Sequence, residues 1–511
     1  MPRQLSMTAV RALLDRAAGV VGADHVFAAA EDQDAYSDAF AFDPAPHRPA
    51  GAIAPASAEE VQAVVRLANE TGAAIWPVSR GKNLAYGGSA PVLPGTVVLD
   101  LSRMRRILEI DVRRGLCVLE PGVGFFDLFA ELEKMGHPLW MSVPGNAWGS
   151  VVGNALERGV GAMPYGDHSA QICGLEVVLG DGQMVRTGSG AMAGSKTWHA
   201  TKNAYGPAWD AMFCQSNFGV VTRMGLWLMP APEATATIGL SLAEPGDLGK
   251  GIDLLQPLRL KGLLDHDVAW VSYVGIASYV APRRKWYEGE GPMPEEVGSK
   301  IRRELGIGWW SAEANFYGEA GVVAAKAEAV RAALQPHFDK PLQVTHWKQG
   351  DPFEKSRAGI PATRDMTMID WLGGRGGHVG FSPILPADGA VAQRQFDRTR
   401  ARYAEAGLDY YGAFSVGARS LIAVNEILYT RDDPAHAKAV PQLMSHLIAD
   451  SAAEGFCEYR THLDQMDEVA ETFDWGDHAM MTLNQRLKDT VDPKGILAPG
   501  KQGIWPARLR G

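Results

Sequence analysis

From residue 50 to 230, short apolar runs alternate with segments whose apolar residues recur every three or four positions. After "GAIAP", the stretch "SAEEVQAVVRLANETG" puts Val61, Val64, Val65 and Ala68 on one helical face, with Ser57 and Glu60 at capping-box spacing. "FFDLFAELEKMG" predicts a second helix, and the N-terminal "MPRQLSMTAVRALLDRAAG" a short amphipathic one. "AAIWPVS", "TVVLDLS" and "LCVLEPG" predict strands closed by Gly or Pro. "LEVVLGDGQMVRTG" predicts a hairpin turning at Asp181-Gly182. Together these elements describe a mixed α/β domain over residues 1–230.

The rhythm lengthens after "MPAPEATAT". "GVVAAKAEAVRAAL" and "VAQRQFDRTRARYAEAG" predict long helices and "LIAVNEILY" a strand, which makes a second, α+β domain over 231–455. The uncharged stretch "VAWVSYVGIASYVAP" at 268–282 is shorter than the roughly 20 residues of a bilayer-spanning helix and reads as a buried strand. The tail, 456–511, ends in the glycine and proline turns of "DPKGILAPGKQGIWP" and is expected to pack back on the first domain.

Composition narrows the function classes. A net charge of -10 with no Lys/Arg cluster argues against a nucleic-acid partner. With no spanning stretch and no export series, no membrane partner and a cytoplasmic location are expected. Cys117, Cys173, Cys214 and Cys457 are scattered without CxxC, which fits free thiols in a reducing compartment. The histidines show no HExxH or paired spacing, so no metal site is expected.

Three glycine-rich loops carry the candidate chemistry. In "PVSRGKNLAYGGSAP" (77–91), Gly81, Gly87 and Gly88 free the backbone beside Ser89, while Arg80, Lys82 and Asn83 supply donors; such a turn can cradle an anion, or be a plain surface loop. The segment from 144 to 168 crowds Pro144, Gly145, Asn146, Gly149, Ser150, Gly153 and Asn154, and "QSNFGVVTRMGL" places Gly219 before Val220 and Val221. Three such loops in one domain suggest an extended, diphosphate-bearing cofactor lying over backbone. "GSGAMA" at 188–193 formally matches GxGxxA, but it follows a hairpin and no apolar helix comes next, so it is a weak nicotinamide fingerprint. Finally, "GGRGGHVGFSP" (373–383) sets His378 among five glycines, bare backbone suited to passing close to something.

The segments "RGKNLAYGGSAP", "WGSVVGN", "YGDH", "GLEVVL", "QSNFGVVTRMG", "GGHVGFSP", "EYRTH" and "DPKGILAPGKQGIW", in this order over nearly the whole chain, resemble the 4-phenol-oxidising flavoproteins. That group includes vanillyl-alcohol oxidase, the flavoprotein subunit of p-cresol methylhydroxylase and eugenol oxidase, which the chain resembles most. The resemblance implies a two-domain, α+β FAD-linked oxidase fold: an FAD-binding domain built from both chain ends under a central cap. The three loops and Lys501 would then hold FAD. It also implies a homodimer, a small phenolic substrate and O2 as electron acceptor, giving hydrogen peroxide. His378 falls where the histidyl-linked members bond the dimethylbenzene edge of the flavin; the alternative is an unbonded ring beside a noncovalent flavin. Tyr86, Tyr459 and Arg460 fall where the family holds the phenol oxygen; singly, each is equally a buried Tyr or a surface Arg. A guanidinium and two hydroxyls favour the phenolate, whose electron density lets a hydride leave the benzylic carbon for flavin N5, giving a p-quinone methide.

The departures from the family gather around the expected pocket. Gly145, beside Asn146, replaces an aspartate implicated in proton handling and flavin attachment. Ala162 replaces a tyrosine, Ile422 and Ala423 a His-His pair, and Ala413 a polar group, while Asp365 keeps an acidic position as Asp rather than Glu. These changes predict a larger, drier pocket and a bulkier substrate, such as a doubly methoxylated or lignin-derived phenol. Hydroxylated and unsaturated products both stay open. So do two other readings: a methylhydroxylase-type dehydrogenase with a cytochrome acceptor, and a flavin-binding protein without catalysis.

Overall fold

The computed structural model describes residues 5–347 and 355–510. Helix Ala58–Thr71 starts at Ser57, whose Oγ accepts the Glu60 N–H (3.2 Å), but the return bond runs from the Ala56 N–H to Glu60 Oε2 (2.7 Å). The capping box is thus displaced by one residue. Val61, Val64, Val65 and Ala68 are all fully buried. With helix Met7–Val21 they cover one face of a four-stranded sheet in which Gly51–Ile53, Val97–Asp100 and Ile75–Val78 run parallel, with Val26–Phe27 antiparallel at the edge. Strand alternation turns Ile75, Val97 and Leu99 to those helices and Trp76, Val78 and Val98 to the other side.

A second sheet is antiparallel, in the order Ile107–Asp111, Leu116–Leu119, Val220–Trp227, Ile172–Val178, Met184–Arg186. The expected hairpin closes it, with Gly182 at φ 81° in the turn. Helices Phe125–Lys134 and Val151–Leu156 pack on this sheet. The GxGxxA match falls on the short 3-10 turn Gly188–Ala191, and Gly190 is crowded by Trp198, so it opens no dinucleotide site.

The third sheet has eight strands between Ala234 and Thr430, all antiparallel. Helices Leu248–Leu260, Ala320–Leu334, Gly389–Glu405 and Pro434–Ala453 bury one of its faces. One expectation fails here. "VAWVSYVGIASYVAP" is a strand only over Val268–Ser272; Tyr273–Val280 is a helix buried through Tyr273, Val274 and Ala277. An unbroken apolar run has no period to tell strand from buried helix.

After this sheet the chain returns to the first one. Ile75 pairs with Leu497, and the fully buried Lys488 donates to the carbonyls of Asn217 and Leu497 (both 2.6 Å) while pairing with Asp492 at 2.8 Å. All four cysteines are free, and no helix among the described residues is long and apolar enough to cross a membrane.

Candidate active site

A cleft runs between the first two sheets. It is lined by Gly81, Lys82, Asn83 and Gly88 of the first glycine loop, Asn146, Gly149, Ser150, Gly153 and Asn154 of the second, Gly219, Val220 and Val221 of the third, and Lys501 of the tail. Its empty space, counted to the open mouth, is about 1330 Å³. Gly81, Gly87 and Gly88 all have positive φ, as the tight first loop requires. A Cβ on Gly81 would run into Ser89 Oγ, and one on Gly87 into Leu463, so Ser89 and Gly87 shape the loop from behind without lining the cleft. Arg80 also stays outside: its guanidinium turns away to Asp127 at 2.8 Å.

The cleft contains groups that the sequence did not single out. Glu157 pairs with Lys501, and Gln215 and Asn217 line the wall. His168 of "YGDH" sits behind the wall, with Nδ1 2.5 Å from Asn154 Oδ1 and Nε2 2.9 Å from Ser142 Oγ. Burial pushes its pKa down to about 4, so a neutral ring holds Asn154 in place.

Tyr86, Tyr459 and Arg460 meet at one end of the cleft. The Arg460 guanidinium lies over the Tyr86 ring, 4.1 Å from its centre, and donates to Asn83 Oδ1. The Tyr459 hydroxyl donates to the Arg158 carbonyl, just before the loop that carries half-buried Ala162. Burial raises the Tyr86 pKa strongly, with the Arg460 charge opposing and Glu426 reinforcing the rise. Arg460 Nε is buried without a hydrogen-bond partner, a donor left for a bound molecule. Nearby, Glu458 accepts the Ser382 N–H, and burial pushes its carboxyl up to about 8, so at neutral pH it opposes a phenolate only weakly.

His378 lies on the edge strand Gly376–Phe381, paired with Ser420–Thr430. The register puts His378, Gly380, Glu426, Val424, Ile422 and Ala413 on the face opposite the helices. A Cβ on Gly380 would lie 3.0 Å from the Tyr86 hydroxyl, so bare backbone lets Tyr86 reach this strand. His378 Nδ1 bonds Glu426 Oε2 at 2.8 Å, while Nε2 is buried without a partner. Glu426 was missed, although stepping by two from Ile422 reaches it as the one acid in an apolar strand.

Two expectations about the pocket are corrected. Ala423 belongs to the other face: it pairs with Phe414 and is fully buried against the helices, so only Ile422 of the replaced pair faces the site. Nor is the space vacated at Gly145, after Pro144, dry. A Cβ there would collide with the carboxylate of Asp365, which enters from the turn Arg364–Asp370, while the Ala147 N–H binds the Ala362 carbonyl at 2.9 Å. Beyond it, Tyr279 and Tyr411 share a hydroxyl–hydroxyl bond of 3.0 Å. Burial raises the Tyr279 pKa, with the charges of Asp365 and Glu426 adding to the rise.

Comparison with known proteins decides the family. The chain is 34% identical over 467 residues to the 4-cresol dehydrogenase (hydroxylating) flavoprotein subunit of Pseudomonas putida, covering 90% of this chain and 89% of that one. This chain belongs to the 4-phenol-oxidising flavoproteins. Residues 49–188 match the FAD binding domain family and residues 315–502 the FAD linked oxidases, C-terminal domain. The 1'-carboxy-chondrochloren decarboxylase of Chondromyces crocatus is 31% identical over 507 residues, 90% of this chain and 92% of that one. The fold superposes on 4-ethylphenol oxidase from Gulosibacter chungangensis with a TM-score of 0.95 at 34% identity over all of both chains. It superposes on p-cresol methylhydroxylase with a TM-score of 0.94 at 30% identity over 99% of each. The cofactor is FAD, and the cleft fits it: a glycine turn and the Lys82 cation suit a diphosphate, and Arg460 Nε at its end and His378 Nε2 on the strand that Tyr86 reaches are buried without partners.

Proposed function

We propose that this protein oxidises para-substituted phenols, of the 4-alkyl, 4-allyl or 4-hydroxybenzylic alcohol type, and passes the electrons to dioxygen. The observation that carries this reading is the convergence of Tyr86, Tyr459 and Arg460 at the end of the FAD cleft, with a guanidinium nitrogen left unpartnered. Arg460 stays charged and attracts the phenol oxygen as phenolate, the Tyr86 hydroxyl donates to it, and the Tyr459 hydroxyl would join on turning from the Arg158 carbonyl that it binds here. Phenolate density then weakens the benzylic C–H bond at the para side chain. Bound FAD supplies the acceptor for the hydride that leaves, giving a p-quinone methide from the substrate. Asp365, in the space beside Gly145, is the base that takes a proton from an attacking water or from the side chain. Tyr279 and Tyr411, near Asp365, make the para-side-chain end polar, which favours substrates with an oxygen there over purely apolar bulk. His378, through Nε2, is the proposed attachment point of the flavin.

The relative named a dehydrogenase flavoprotein subunit favours a second reading, in which a partner protein takes the electrons. Turnover of 4-ethylphenol in air-saturated buffer, with product and hydrogen peroxide measured together, separates the two. Equal amounts support the oxidase. Turnover only on adding an artificial one-electron acceptor supports the dehydrogenase, and no turnover with either contradicts both.

A further inference from the structure

The side chains around His378 are arranged about one of its two ring nitrogens. His378 is only 7% exposed, its ring packs on Phe40 at 5.3 Å, and among the described residues its ring bonds through Nδ1 to Glu426 Oε2 at 2.8 Å. A carboxylate oxygen accepts, so Nδ1 is the donor in this contact and Nε2 is the ring nitrogen left to act as nucleophile. Nε2 is the atom left buried without a partner. Glu426 is well placed to hold this tautomer, because it faces Gly380 across the strand pair and shares a face with His378. The same Oε2 lies 3.7 Å from where a Cβ on Gly380 would sit, beside the Tyr86 hydroxyl, so the carboxylate is wedged between His378 and the phenol site.

We infer that Glu426 is a positioning residue for flavin attachment: by binding Nδ1–H it fixes the ring and presents the Nε2 lone pair as the nucleophile. This rests on the attachment reading above. Attachment exchanges one C–H bond of the flavin methyl for a C–N bond to Nε2. Two electrons and two protons leave, one proton from the methyl and one from the ring, and dioxygen takes them up as hydrogen peroxide. A carboxylate on Nδ1 stabilises the positive charge that the ring gains as Nε2 forms its bond.

The test compares acid-precipitable flavin with total bound flavin in wild type, Glu426→Leu and Glu426→Gln, each purified as holoprotein. Glu426→Leu removes the acceptor and is expected to cut the acid-stable fraction by about tenfold or more while flavin still binds. Glu426→Gln keeps an acceptor for Nδ1–H and is expected to restore much of it. Proteolysis of the wild-type protein and analysis of the flavin peptide give a second readout that needs no variant, with the flavin expected on Nε2. A wild-type acid-stable fraction in Glu426→Leu, or flavin on Nδ1, overturns the proposal and leaves attachment at His378 standing. Wild-type flavin released wholly by acid overturns attachment itself, and this inference with it.

Discussion

Arg460 is asked to hold a phenolate while its guanidinium covers the Tyr86 ring and one of its nitrogens is left without a partner. Removing it takes away the positive charge on which phenolate binding depends. Arg460→Ala is expected to lower kcat/KM for a 4-alkylphenol roughly 100- to 1,000-fold, whereas Tyr86→Phe, which loses one hydrogen bond to the phenolate, costs roughly 10- to 100-fold. Stopped-flow reduction by 4-ethylphenol checks both. Gly145 and Asp365 compete for one volume, so restoring an aspartate at 145 places two carboxylates together. Gly145→Asp is expected to destabilise the protein, and Asp365→Ala in the same chain to relieve it. A double-mutant cycle on unfolding free energy should show a coupling of about 0.5–3 kcal/mol; additivity would mean that the carboxylate does not fill that space.

At the scale of elements, the face of a strand decides what a substitution does. Ala423 packs among helices and Ile422 looks into the site, although they are neighbours in sequence. Ala423→Leu is therefore expected to cost about 1–3 kcal/mol of stability by overpacking and to leave the substrate profile alone. Ile422→Ala is expected to shift KM across ring-methoxylated phenols with little loss of stability. Denaturant unfolding and a substrate panel separate the two effects. The strands, helices and glycine loops were legible in the sequence because period 2, period 3.6 and glycine placement are local. The contacts that were not legible depend on register or on distant turns. Glu426 meets His378 only because the strands pair with Gly380 opposite Glu426, and Asp365 meets Gly145 only through a turn more than two hundred positions away in the chain. The helix Tyr273–Val280 was lost for the opposite reason, since a mostly apolar, uncharged run carries no clear period to read.

For the whole molecule, one fully buried charge cluster and one partly exposed cluster tie distant parts of the chain together. Lys488, Asp492 and the carbonyls of Asn217 and Leu497 anchor the C-terminal return to the FAD-binding sheets with no exposed surface. Lys488→Ala strands the Asp492 charge and is expected to cost about 3–5 kcal/mol, read by denaturant unfolding together with weaker FAD retention. The second cluster joins Asp38, His462, Asp464 and His47. Burial works against a charge on His462, but its bonds to Asp38 and Asp464 outweigh it and raise the pKa to about 9. A raised histidine stabilises fully below its unfolded value of about 6.5 and loses that contribution as pH climbs through 9, a swing of up to about 3 kcal/mol. Unfolding free energy should therefore fall between these pH values in wild type, and His462→Gln should flatten the fall by lowering stability at the acid end. Central to all of this is that the chain binds a phenol as phenolate beside FAD. The most direct test is anaerobic mixing of the holoenzyme with 4-ethylphenol and, separately, with its methyl ether, which cannot ionise. Bleaching of the visible flavin band by the phenol and not by the ether is the expected result, whereas equal bleaching by both, or none by the phenol, would contradict the account.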